Sequence, residues 1–345
     1  MNERIERLQA SLEEPLLVTD PANLRYLTGL RSSNAALLVG PERLRLFADF
    51  RYAETARAVP GVEFELTSRA LFDDLARRLS GRIAFEADAL VYARFRALAD
   101  AGLDLVPRSG LVERLRAVKD ESELAAIRRA SQITSEAYAR LAEEPFVGLA
   151  ERDLAWRMDE ILRELGTEGL AFPTIVAAGP NAARPHTTPG PRPVGAGETV
   201  LVDAGAVVGG YCSDCTRTFA TGPLPDELRH AYAVCLAGQE AGLDAARAGA
   251  RGRAVDAVAR ERIAADGFGE EFGHGLGHGV GLLEHEAPTL RPESADTLAP
   301  GNVVTVEPGI YLSGRGGVRI EDLVVVTDGS PEVLTTFTKE LVVLS

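Results

Sequence analysis

Residues 199–220 and 302–326 constrain the fold most, because each is a pair of apolar segments joined by a glycine-rich turn with acids set among the apolar side chains. In the first, "TVLVDAGAVVGGYCSDCTRTFA", Gly209-Gly210 marks a two-residue hairpin turn. Pairing Val208 with Tyr211 sets Asp214 opposite Gly205, and Asp203 lies two residues back along the same strand. Alternation then puts Asp203 and Asp214 on one face as diagonal neighbours, ~7 to 8 Å apart. In the second, "NVVTVEPGIYLSGRGGVRIEDLVVV", pairing Leu312 with Val318 sets Glu321 opposite Gly309, with Glu307 two residues back on the same face and Arg319 beside them. Pro308 marks an edge or a bulge there, which can move the register.

An acid at alternate positions of a strand usually points to solvent. Here the runs are apolar on both sides of the acid, as in strands covered on both faces. Four carboxylates buried together cannot all stay ionised without a compensating charge, and two divalent cations supply it. The histidines fit this reading. Of the five in the chain, all but His230 (His186, His274, His278 and His285) come just before one of the two hairpins. Neutral imidazole is a good metal ligand, and the glycines of "FGHGLGHGVGLLEHE" let backbone approach a crowded centre.

The surrounding elements repeat in order. Helices expected near 121–143 and 150–165 precede the β segment "AFPTIVAAG", His186 and the first hairpin. Helices near 224–247 and 253–265 precede the histidine-rich stretch and the second hairpin. The first of these helices opens with Asp120 and Glu123 at capping-box spacing, then Leu124, Ile127, Ala130, Ile133 and Ala137 at helical intervals. Before it, short β-type runs ("AALLVG", "RLRLFADF", "GRIAFEA") alternate with helical ones, which predicts a small α/β domain over 1–115 and a second, α+β domain of two related halves over 116–345.

Composition narrows the partners. A net charge of −14 with no basic cluster disfavours nucleic acid and anionic membrane surfaces. No run approaches the ~18 to 20 apolar residues of a membrane span, and the amino terminus is charged where a signal peptide would be apolar, so a cytoplasmic protein is expected. Three cysteines, Cys212, Cys215 and Cys235, are too few for a disulfide framework, and packing is their expected role.

The motifs "LVDAGA", "SDCTRTF", "GHGLGHGVGLLEHE", "VVTVEPGIY" and "GVRIED", in this order and spacing, resemble the pita-bread metallopeptidases, the group of Xaa-Pro dipeptidases (prolidases), aminopeptidase P and methionine aminopeptidases. "NLRYLTGL" and "FADFRYAETA" resemble the creatinase-like amino-terminal domain of the prolidase and aminopeptidase P branch. The resemblance implies that Asp203, Asp214, His278, Glu307 and Glu321 hold two divalent ions per chain, with Asp214 and Glu321 bridging both. Mostly oxygen donors with one imidazole suit Mn2+ first, with Co2+ or Zn2+ as alternatives. It further implies hydrolysis of the Xaa-Pro bond by a metal-bridging hydroxide, with Glu307 handling its proton and His285 or His186 stabilising the oxyanion. His274 and Arg319 are implied near the substrate and the metal-binding acids, and a homodimer is implied for the assembly.

One departure bears on substrate length. Prolidases of this type commonly carry an arginine directly after "HExP", and this chain has Thr289 there, with Arg291 two residues on and Arg184 near His186 as the other candidate for a substrate carboxylate. The chain's compact length inclines the expectation to short peptides with proline second, cleaved as dipeptides. Aminopeptidase P activity on longer peptides is the alternative. A non-catalytic binding module or a creatinase-like C–N hydrolase of the same fold would have altered metal ligands, and the full set here counts against both.

Overall fold

Short apolar runs in the amino-terminal part become strands because helices cover them, and six such strands make one mixed sheet. The computed structural model describes residues 3–344, and the chain divides into two compact units between Arg116 and Ala117. The strands of the first unit are β1 (Leu16–Val18), β2 (Ala35–Val39), β3 (Leu44–Asp49), β4 (Glu63–Thr67), β5 (Arg82–Glu86) and β6 (Asp104–Arg108), ordered β4-β3-β2-β1-β5-β6. The central pairs β1–β2 and β2–β3 are antiparallel, and the outer pairs are parallel. Helices α1 (Glu3–Gln9), α2 (Pro21–Thr28), α3 (Ala53–Arg57), α4 (Leu71–Arg78), α5 (Tyr92–Asp100) and α6 (Leu111–Ala117) connect or flank them. Its core gathers Leu17, Phe47, Leu75, Ile83, Phe85 and Leu98. Helix α2 starts sharply because the Asp20 carboxylate accepts from Ala22 N and Asn23 N with Pro21 in the first turn, and it ends at Gly29, whose φ of 73° suits a residue without Cβ.

The second unit contains the repeated order of elements. Its first half runs α7 (Glu121–Leu141), α8 (Glu151–Glu164), β7 (Ile175–Ala178), β8 (Thr199–Ala204), β9 (Val207–Val208), β10 (Tyr211–Cys212) and β11 (Cys215–Ala220). Its second half runs α9 (Asp226–Ala245), α10 (Gly252–Ala265), β12 (Gly277–Gly279), β13 (Glu286–Leu290), β14 (Val303–Val306), β15 (Gly309–Leu312), β16 (Gly316–Arg319), β17 (Asp322–Val325) and β18 (Glu332–Val333). The Asp120–Glu123 capping box opens α7 with both reciprocal bonds made. Each half has its own apolar core, one including Ile133, Tyr138, Met158, Val202 and Phe219, the other Val234, Ile263, Leu276, Val306 and Val324. The three cysteines are buried, and burial pushes the Cys235 thiol up to about 12. Among the described residues no helix is long and apolar enough to cross a membrane.

The first hairpin has the expected register, Tyr211 opposite Val208 and Thr216 opposite Asp203. The second corrects the expectation. Leu312 pairs with Gly316 and Ile310 with Val318, so the turn shortens to Ser313–Arg315 with Gly314 at φ 74°. The same register continues beyond Pro308 to Val306 opposite Asp322, which sets Glu307 directly opposite Glu321 and not diagonal to it. The physical reason is the tighter loop that a left-handed glycine allows. Because the slip is of two residues, both acids keep their face.

The two hairpins meet along β11. Glu321 N donates to the Thr216 carbonyl at 3.1 Å. Thr218 Oγ1 donates to the Arg319 carbonyl at 2.9 Å and accepts from Arg319 N at 3.1 Å. Between them the buried Arg217 guanidinium donates to the carbonyls of Thr216 and Glu321 and to Asp322 Oδ1. Four acids from two ribbons are thereby brought to one place.

Candidate metal centre

Asp203 sits on β8 and Asp214 on the turn into β11, where the register sets it against Gly205. A Cβ at Gly205 would lie 2.0 Å from the Ser213 carbonyl oxygen, so only glycine lets the two strands close here. Donor atoms of Asp203, Asp214 and Glu321 all lie within 4.8 Å of one another. Beside them, His278 Nε2 is 3.1 Å from Glu307 Oε1 and 3.8 Å from Asp214 Oδ2. Two groups of donors therefore share Asp214.

The electrostatics carry the strain of this arrangement. Burial pushes the Asp214 and Glu321 carboxyls well above their usual range, and repulsion among Asp203, Glu307, Glu321 and Asp214 adds to it. Asp203 is raised by burial too, though the Arg319 guanidinium, 2.6 Å from its Oδ2, works against the rise. Burial also opposes ionisation of Glu307, but the hydrogen bond and charge of His278 outweigh it and hold Glu307 at about 2. His278 is raised in turn against its own burial by that carboxylate.

A group of divalent ions fits these residues. Asp203 Oδ1 is buried with no hydrogen-bond partner, and the donors are carboxylate oxygens and one imidazole nitrogen, as hard divalent ions prefer. Neighbouring side chains hold the donors in place. Thr216 Oγ1 donates to Glu321 Oε2 at 2.8 Å and accepts from Arg319 Nε at 3.0 Å. Thr305 Oγ1 donates to Glu307 Oε1 at 3.2 Å. Arg319 Nη1 donates to Tyr311 Oη at 3.1 Å and to the Pro185 carbonyl at 3.2 Å, so this buried arginine ties the β16 strand to the His186 loop.

The other expected residues lie around this cluster. His274 has both ring nitrogens engaged, Nε2 with Tyr311 Oη at 2.9 Å and Nδ1 with the Gly275 carbonyl at 2.8 Å, and burial lowers its pKa. His285 is exposed, with its ring centroid 4.2 Å from that of His278. His186 is exposed. Arg184 is exposed at the end of the short 3-10 helix Gly179–Ala183. Thr289 stands opposite His278 in the β12–β13 ladder, but its Oγ1 is engaged with Asp296 Oδ2 at 3.0 Å and Ser294 Oγ at 3.1 Å.

Sequence reasoning passed over Thr216, Tyr311, Thr305 and Glu284. Strand parity could have found the first three, since Thr216 and Thr305 are two residues from Asp214 and Glu307, and Tyr311 is four from Glu307. Nothing in the pattern singles out Glu284, which reaches the site from an irregular turn.

Comparison with known proteins agrees with this geometry. Residues 125–328 match the model of metallopeptidase family M24, and residues 4–118 match the creatinase/prolidase N-terminal domain. The chain is 30% identical to an Xaa-Pro dipeptidase of Pyrococcus furiosus, over 99% of this chain and 100% of that one. Among solved structures, an Xaa-Pro dipeptidase from Bacillus anthracis superposes with a TM-score of 0.95 at 36% identity, covering 99% of both chains. An X-Pro aminopeptidase from Thermotoga maritima superposes with a TM-score of 0.89 at 33% identity, covering 99% of this chain and 100% of that one. With the acids of two ribbons converging as such a hydrolase requires, and with both domain models matched in order, the chain belongs to metallopeptidase family M24 and carries a creatinase/prolidase-type amino-terminal domain.

Proposed function

We propose that this metallopeptidase hydrolyses the Xaa-Pro peptide bond with two divalent ions, acting first as an Xaa-Pro dipeptidase. The observation that carries the reading is the pair of donor groups sharing Asp214: Asp203, Asp214 and Glu321 on one side, His278, Glu307 and Asp214 on the other. Ions held there, Mn2+ first, would supply a water of lowered pKa and a Lewis acid for the scissile carbonyl. Glu307, oriented by His278 at 3.1 Å and by Thr305 at 3.2 Å, is the carboxylate assigned to handle the proton. His285, exposed and with its ring 4.2 Å from that of His278, is placed to donate an N–H to a developing oxyanion. The His274–Tyr311–Arg319 chain fixes Asp203 from behind.

The dipeptidase reading is supported by the similarity to the Xaa-Pro dipeptidases of Pyrococcus furiosus and Bacillus anthracis, and it assigns the substrate carboxylate to the exposed Arg184. One observation favours aminopeptidase activity on longer peptides instead: Thr289, where an arginine would meet a free carboxylate, is bonded to Asp296 and Ser294. Offering Ala-Pro and Ala-Pro-Ala to the Mn2+-loaded protein separates the two. Cleavage of the dipeptide alone is expected; cleavage chiefly of the tripeptide selects the second reading, and cleavage of neither removes both.

A further inference from the structure

The turn between β12 and β13 brings a fifth carboxylate to the centre. Glu284 is about one-third exposed, and its Oε1 lies 3.4 Å from His285 Nδ1. Burial raises its carboxyl, the nearby charges of Asp203 and Glu307 add to the rise and that of His278 opposes it, and Glu284 in turn raises Asp214. Among the described residues, no lysine or arginine forms an ion pair with it; its one such neighbour is His285. The guanidinium of Arg319, the buried cation nearest the acids, is taken up by Asp203, Thr216, Tyr311 and the Pro185 carbonyl. Glu284 is thus a partly exposed acid beside His285 at the edge of the metal centre, with no lysine or arginine side chain of the described residues paired to it.

The consequence follows from the chemistry of the substrate, and it rests on the Xaa-Pro reading above. In such a peptide the scissile carbonyl must reach the ions, the proline ring carries no charge, and the termini are constant. The variable charge is the side chain of Xaa, which branches one atom from the scissile carbonyl carbon. We propose that Glu284 is a specificity-determining residue that makes the enzyme prefer a cationic Xaa over a neutral one, and a neutral one over an acidic one. A unit charge ~7 Å away, at an effective permittivity between those of a protein surface and water, changes kcat/KM by roughly three- to tenfold in either direction.

The test measures kcat/KM for Lys-Pro, Gln-Pro and Glu-Pro with the Mn2+-loaded wild type, Glu284→Gln and Glu284→Lys, at low and at high salt. If only the longer peptides are cleaved, the same three residues are offered as Xaa-Pro-Ala. The ratio of the Lys to the Glu substrate cancels any general loss of activity in the variants. It should be roughly tenfold or more in the wild type, shrink as salt screens the charge, approach one in Glu284→Gln and invert in Glu284→Lys. A wild-type ratio near one, or a ratio unchanged in both variants, overturns the proposal while leaving the Xaa-Pro reading intact. No cleavage at either length overturns that reading, and the proposal with it.

Discussion

Asp214 has the most demanding position in the chain. It is buried, nearly surrounded by other acids, and raised well above the usual carboxylate range by desolvation and by Glu321, Asp203 and Glu307. Such a residue is costly to fold around unless its charge is answered. A second buried acid shows how the chain manages one without a metal. In the first unit, Glu86 accepts from Thr19 N at 2.6 Å, Asp20 N at 2.7 Å and Asn23 Nδ2 at 2.8 Å. Burial outweighs these bonds and raises Glu86 to about 7. A raised acid binds its proton more tightly folded than unfolded, so its contribution is fully present below the unfolded value of 4.5 and is lost as pH rises through about 7. Comparing urea midpoints at pH 5 and pH 8, Glu86→Gln should lose up to roughly 3 kcal/mol of the wild type's decline between those values. An identical decline in the variant would show that Glu86 ionises normally.

At the level of elements, the site depends on two ribbons closing tightly. Gly205 is the point of closest approach in the first, where an added Cβ would meet Ser213 O at 2.0 Å and Ala171 Cβ at 2.8 Å. Gly205→Ala should therefore part β8 from the strand opposite, costing roughly 3 kcal/mol or more and displacing Asp214 from its partners. A denaturation midpoint within experimental error of the wild type would show that the ladder yields easily. The first ribbon was legible from its Gly-Gly turn because a two-residue loop fixes register. The second was not, since a five-residue glycine-rich stretch permits more than one closure, and only parity survived the slip of two residues. Strands β4 and β6 escaped notice for a related reason: "EFELT" alternates charged and apolar residues and is only partly buried, "DLVPR" contains Pro107, and both lie at the edges of the sheet, where polar residues and proline are tolerated. Helix α7 was legible to within a few residues because its cap and its apolar face are both local.

On the scale of the whole molecule, the second unit is one element order used twice, and the donors come from both halves: Asp203 and Asp214 from one, His278, Glu307 and Glu321 from the other. That acids of both hairpins would converge was readable because acids inside doubly apolar strands are rare. The residues that brace them, such as Thr216 and Tyr311, look ordinary in sequence and gain meaning only from the strand each faces. The central claim is that the two halves hold divalent ions jointly, and the most direct check is the number of Mn2+ ions retained per chain after equilibrium dialysis without chelator, for the wild type and for Asp214→Ala. The account predicts about two ions in the wild type and fewer than about one once the shared donor is removed. A wild type that retains none, or a variant that retains as many as the wild type, would contradict it.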